Sequence, residues 1–227
     1  MVFLKHLKPI LTLSVFFLQL FQIANGQMRK VYIDTISTNN EIKKISFYSN
    51  SEGYIASTDD NINEWVGLTT DSGRTFVKKY ITNIYYQNVY TSGSFFSING
   101  VKAFNKNVII AYGVYWTTPA ILYSIDGGNS YEMTFYSQYD PQHLNDGITD
   151  MIFPENNNVG FAIDGDRVIK TTNQGLSWSV IKTEPQSLFD HLEAVDNNTV
   201  FAISTDYSAN KLLVTRNGGL TWQTVTL

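Results

Sequence analysis

Cysteine is absent from all 227 residues. That excludes a disulfide scaffold, a thiolate zinc site, a cysteine nucleophile and a lipid-modified N-terminal cysteine. Charge is sparse as well, at 16% of residues against about 25% in an average domain. Only four arginines occur, Arg29, Arg74, Arg167 and Arg216, and basic residues gather no further than pairs such as Lys43-Lys44 and Lys78-Lys79. With a formal net charge of −4, the chain lacks the clustered cations that a phosphate backbone demands, so nucleic acid is not an expected partner. Long apolar runs are missing too, except at the start. There Lys5, His6 and Lys8 precede the run Ile10–Leu20, and Ala24-Asn-Gly26 places small residues ahead of Gln27. This is the three-part pattern of a secretory signal peptide, with a run too short for a comfortable membrane span. Residues 1–26 are therefore expected to be removed near Gly26-Gln27. The mature chain, 27–227, is expected to be secreted or periplasmic, with no membrane attachment.

What the sequence does hold is aromatic and repetitive. Aromatics reach 14%, with 14 Tyr and 14 Phe. Four octapeptides share one pattern: Thr69-Thr-Asp-Ser-Gly-Arg-Thr-Phe76, Ser124-Ile-Asp-Gly-Gly-Asn-Ser-Tyr131, Thr171-Thr-Asn-Gln-Gly-Leu-Ser-Trp178 and Thr215-Arg-Asn-Gly-Gly-Leu-Thr-Trp222. Each reads hydroxyl, any, Asp or Asn, any, Gly, any, hydroxyl, aromatic. The third positions, Asp71, Asp126, Asn173 and Asn217, recur every 55, 47 and 44 residues, which marks a repeat architecture. Chemically the octapeptide is a turn. The Asp or Asn oxygen accepts from backbone N–H groups about two residues on. Gly73, Gly128, Gly175 and Gly219 supply positive φ. Phe76, Tyr131, Trp178 and Trp222 open the next strand and fold back over the turn. Because Asn replaces the acid in two repeats, these side chains are not read as catalytic carboxylates.

The pattern resembles the Asp-box, or bacterial neuraminidase, repeat, and its flanks resemble photosystem II assembly factor-like and sortilin-like β-propellers. That resemblance covers nearly all of residues 28–227. It implies an all-β propeller of four-stranded antiparallel blades, with the Asp box joining the third and fourth strands. Four blades are expected, at about 42–81, 98–136, 149–183 and 188–227. An extra strand at 28–37 is left over, so the propeller is expected to be small, open or incomplete. The strand segments are β-branched and aromatic, as blades buried between neighbours should be. Gln186–Ala194 is the one stretch with any helical character, and the repeat favours a strand there.

The Asp-box resemblance also brings in sialidases, whose chemistry needs an arginine triad. Arg74 and Arg216 lie inside the octapeptides, on the face opposite an active site, so that chemistry is not expected. A glycoside hydrolase needs two carboxylates about 5–10 Å apart. Asp150 and Asp190 are the candidate pair, whereas Asp140 and Asp146 read as turn formers. His143 and His191 lack zinc-site spacing and read as loop histidines. Asp59-Asp-Asn61-Ile-Asn63 opens like a calcium loop, but Glu64 stands where the glycine belongs. No metal or cofactor is expected. The loops opposite the Asp boxes are enlarged and aromatic, namely 82–94, 113–119 and 136–143, and loops on a rigid scaffold commonly carry function. Tyr85, Tyr86, Tyr90, Tyr115, Trp116, Tyr139 and His143 are the expected ligand-binding residues. The expected role is a non-catalytic binding or assembly module for a protein segment or carbohydrate. A glycoside hydrolase and a structural piece of a larger secreted assembly are the alternatives.

Overall fold

The computed structural model describes residues 41–59, 61–137, 147–155, 157–205 and 210–225. The leftover segment 28–37 and the leader lie outside them. Within them the chain is all-β and forms four successive sheets. The first contains β1 (Glu41–Phe47), β2 (Gly53–Thr58), β3 (Glu64–Thr69) and β4 (Val77–Tyr80). A hairpin follows, β5 (Asn83–Tyr86) and β6 (Val89–Ser92), then a single 3₁₀ turn at Gly93–Phe95. The second sheet is built on β7 (Phe96–Ala103), β8 (Ile109–Tyr115), β9 (Thr118–Ser124) and β10 (Tyr131–Tyr136). The third comprises β11 (Ile148–Ile152), β12 (Gly160–Asp164), β13 (Arg167–Thr171) and β14 (Ser179–Thr183). The fourth comprises β15 (Leu188–Ala194), β16 (Val200–Thr205), β17 (Asn210–Thr215) and β18 (Gln223–Val225). Each of the four expected blade ranges holds one four-strand succession, and Leu188–Ala194 is a strand.

Alternation along the strands explains the stacking. Leading faces of one sheet pack on trailing faces of the next, giving three apolar layers. Tyr54, Ala56, Val66 and Leu68 of the first sheet meet Val101, Ala111, Leu122 and Met133 of the second. Ile110, Tyr112, Ile121 and Tyr123 of the second meet Met151, Ala162 and Ile169 of the third. Phe161, Ile163 and Val168 of the third meet Leu192, Ala202 and Leu213 of the fourth. This is how propeller blades stack. Among the described residues no strand of the fourth sheet pairs with one of the first.

Segment 82–94 is not an enlarged loop, and the second sheet is not four-stranded. β5 pairs with the outer strand β10 in parallel, Ile84 opposite Tyr131 and Tyr85 opposite Glu132, and β6 follows antiparallel, so this sheet has six strands in the order β6-β5-β10-β9-β8-β7. The physical reason is the turn: Gln87 and Asn88 both take positive φ, 51° and 63°, as a two-residue type I′ hairpin requires. Ile84, fully buried, anchors the hairpin in the first apolar layer.

Candidate functional site

The four octapeptides fold alike. In the first, the Thr69 hydroxyl accepts from Gly73 N–H at 2.9 Å and donates to Asp71 Oδ1 at 2.9 Å. Asp71 also accepts from the Thr75 backbone at 2.9 Å and from the Thr75 hydroxyl at 2.6 Å. The main-chain donors thus lie further along than expected, four residues on from Asp71 and three and four on from Asp126. In the Asn turns the last contact runs backwards. Asn173 Nδ2 donates to the Ser177 hydroxyl at 2.9 Å, and Asn217 Nδ2 to the Thr221 hydroxyl at 2.8 Å. The hydroxyl at the seventh position can do either job, which is why acid and amide interchange there. Burial pulls the Asp71 carboxyl up, but hydrogen bonds from Thr75 and Thr69 outweigh it and leave the pKa at about 2. Asp126 is lowered in the same way, burial against bonds from Ser130 and Ser124.

Each later turn is also fastened to the sheet before it. Lys79 and Tyr54 donate to the Gly127 carbonyl at 2.9 and 3.3 Å, Tyr123 donates to Gln174 Oε1 at 3.2 Å, and Lys170 donates to the Gly218 carbonyl at 2.7 Å. These turns are structural joints.

At the opposite end of the sheets, the four innermost strands share a defect. β1, β7, β11 and β15 each break register against their partner, between Ile42 and Lys44, Ile98 and Gly100, Ile148 and Met151, and Phe189 and His191. Bulges of this kind re-aim side chains next to functional sites. Here they bring Lys44, Asp150 and His191 together from three different sheets. Asp150 is 8% exposed. Its Oδ1 accepts from Met151 N–H at 2.9 Å and lies 3.4 Å from Lys44 Nζ. Its Oδ2 accepts from Leu192 N–H at 3.1 Å and lies 3.0 Å from His191 Nδ1. At the equivalent position of β7 stands Gly100, where a Cβ would fall 2.3 Å from the Tyr112 hydroxyl. Burial, with the Asp150 charge, pushes that phenol far up. His191 is therefore a strand residue whose ring nitrogen contacts Asp150 of the neighbouring sheet, not the loop histidine expected. Asp190 sits beside it, exposed. Glu64, read in the sequence only as a misfit in a calcium loop, is buried at the start of β3, where it accepts from the Thr58 hydroxyl at 2.8 Å. Burial raises its pKa. Asp59 serves as a turn acceptor for the Asn61 and Asn63 amides. No group of three metal-ligating side chains occurs among the described residues.

The aromatic residues of the same end form a series of ring contacts across the second sheet. Trp116, in the β8–β9 turn, stacks on Phe95 with centroids 4.0 Å apart and planes at 21°. Phe95 meets Tyr115 edge-on at 6.5 Å, Tyr115 meets Tyr136 at 6.2 Å, and Tyr136 meets Tyr86 at 5.9 Å. Trp116 is 61% exposed and has a φ of 59°. Tyr115 is buried and acts as the support. Tyr85 and Tyr90 pair edge-on at 5.9 Å, on the hairpin face opposite Tyr86, since neighbouring strand residues point to opposite sides. The expected ligand-binding tyrosines are thus split between two surfaces. Phe95 joins the first of them, a residue the sequence did not single out, because only the 3₁₀ turn sets it under Trp116. Tyr139 and His143 lie outside the described residues.

No protein-family model and no curated protein matches the chain. Solved structures do. A GH74 enzyme from Niastella koreensis superposes with a TM-score of 0.58 at 12% identity, over 82% of this chain and 30% of that one. The GH74 xyloglucanase of Xanthomonas campestris gives 0.59 at 11%, over 82% and 30%. YCF48 from Cyanidioschyzon merolae gives 0.54 at 15%, over 85% and 58%. The likeness is one of fold. It places the four sheets among β-propellers, and the chain spans under a third of the GH74 chains and somewhat more than half of that YCF48 chain.

Proposed function

We propose that this chain is an exported, non-catalytic binding or assembly module, an Asp-box β-propeller that takes a protein segment or a glycan across the aromatic stripe of its second sheet. The observation that carries the reading is Trp116. A bulky side chain at positive φ costs about 1 kcal/mol or more in backbone strain, yet here it holds an indole largely in water with one face backed by Phe95. Its free face suits a sugar ring or a flat apolar side chain. Titration of wild type and Trp116→Ala against a panel of polysaccharides and peptides tests it. Weakened binding with an unchanged melting curve is expected. Unfolding of Trp116→Ala would show that the ring is core and end the reading.

The buried carboxylate at the axis favours a second reading, a glycoside hydrolase using Asp150 and Asp190. Asp150 already accepts two main-chain N–H groups and faces Lys44 and His191, which suits a fastening better than a general base. Turnover of aryl glycosides or polysaccharides by wild type, lost in Asp150→Asn, would support the enzyme instead.

A further inference from the structure

The two end sheets differ in a way that the fourfold repeat does not account for. The fourth sheet turns a largely bare face away from the third, where Ile203 is 40% exposed and Phe201 and Leu212 are half-buried. The first sheet has a matching face, turned away from the second. Alternation sends Tyr54, Ala56, Val66 and Leu68 into the first apolar layer and leaves Ile55, Trp65 and Gly67 on that outer face. Yet Ile55 is fully buried and Trp65 is 1% exposed, although neither belongs to any of the three apolar layers. The indole lies across Gly67, where a Cβ would fall 2.8 Å from Trp65 Cζ3 and 3.0 Å from Ile55 Cγ1. Lys78 Nζ stands 4.3 Å over the ring, but Lys78 is itself exposed and lies on β4, whereas Ile55 lies on β2, with β3 between them. One lysine stem cannot hide both. Even Trp65 Nε1 is closed off from solvent, with no partner among the described residues.

A sheet face excludes water only where something lies on it, and connectivity narrows what that is. Three stretches longer than two residues lie outside the described ones: 1–40, 138–146 and 206–209. Residues 138–146 leave and return on the second sheet, where Ser137 N–H donates to the Pro119 carbonyl and Gly147 lies against Val114. Residues 206–209 join β16 to β17 within the fourth sheet. Residues 1–40 alone run straight into the first sheet, through β1, the strand paired with β2. Of these, 1–26 are the expected leader. The remainder holds Met28, Val31, Tyr32, Ile33 and Ile36 within ten positions, enough apolar surface to cover one tryptophan and one isoleucine.

We infer that residues 28–37 cover the outer face of the first sheet and cap the run of repeats. A stack of repeats needs such a cap, because its terminal face has no neighbour to bury it. Here the cap also denies that face to the bare fourth sheet of another copy. The inference is independent of the ligand stripe, which belongs to the second sheet.

Hydroxyl-radical footprinting of the full chain, read by peptide mass spectrometry, reports the exposure of each aromatic side chain separately. In wild type, Trp65 should label about tenfold slower than Trp116. The double variant Val31→Asp, Ile33→Asp should raise Trp65 labelling about tenfold and leave Tyr112, buried in the second layer, unchanged. Continued protection of Trp65 in that variant would overturn the proposal. So would labelling of Trp65 on removal of residues 1–26 alone, which would make the leader the cover. Labelling that appears when wild type is diluted from about 100 to 1 µM would overturn it too, by making the cover a second copy. If the double variant unfolds, so that Tyr112 labels as well, an amine cross-linker applied to wild type decides. A Lys30–Lys78 link is then expected, and its absence would overturn the proposal.

Discussion

Asp150→Ala deletes in one step the acceptor of two main-chain donors and the partner of the Lys44 and His191 side chains. Leu192 N–H is buried, and a buried donor left without an acceptor costs about 1–3 kcal/mol. Met151 N–H, bonded by the same carboxylate at 2.9 Å, adds a similar but smaller amount, since its own residue can relax once the side chain is gone. Lys44 is nearly half exposed and 3.4 Å away, and an ion pair of that kind contributes about 0–1 kcal/mol. His191 is more exposed still, and its contact adds no more than that. The main-chain losses therefore dominate, and the variant should lose about 3 kcal/mol. In a domain of this size that corresponds to a fall in Tm of about 6–12 °C. Thermal unfolding followed by circular dichroism measures it, and hydrogen exchange should show the Leu192 amide losing protection ahead of Leu213. Asp150→Asn keeps one acceptor oxygen and should lose about half as much. A drop below about 3 °C would refute the fastening. A rise in Tm would refute it more sharply, because stabilisation on mutation is the behaviour of a residue kept for catalysis.

Two further outcomes follow from the octapeptide turns. The folded-state pKa values of Asp71, about 2, and of Asp126 lie below the ordinary carboxylate value. Their stabilisation is then fully present above about pH 4 and is lost as pH falls through the folded values. Acid titration of the double variant Asp71→Asn, Asp126→Asn should show a flatter loss between about pH 4 and 2; an unchanged acid limb would show that the acids are not what fails. Gly175→Ala should cost about 2–4 kcal/mol in urea unfolding, because φ is +92° and the new Cβ would fall 2.4 Å from Ile110 Cδ1 of the preceding sheet. A loss under about 1 kcal/mol would mean that the two sheets part easily at that joint.

The sheets were legible because each octapeptide combines a hydroxyl, an acceptor and a glycine that only a tight turn uses together, and that turn punctuates the strands. The hairpin was not. Its turn is Gln87-Asn88, without the glycine that usually announces a type I′ bend, so the longer first period read as a loop. The axial group was half visible. Asp150 stood out as one of a carboxylate pair, but Lys44 lies 106 residues away and His191 on a third sheet. Their meeting depends on three register breaks that alternation along one strand cannot show. Trp116 was visible as an aromatic in a loop. Its left-handed backbone and the Phe95 ring beneath it belong to the packing.

The parallel docking of β5 on β10 has a consequence for the order of assembly. The hairpin is a local structure and closes in about 1–10 µs, but the strand that receives it is made roughly 40 residues later, or about 2–8 s at ordinary rates of synthesis. Throughout that interval Ile84 has no layer to enter, and the hairpin has two open edges instead of one. Early in its life the chain thus exposes an uncharged hairpin, and the arrival of β10 is the event that retires one side of it.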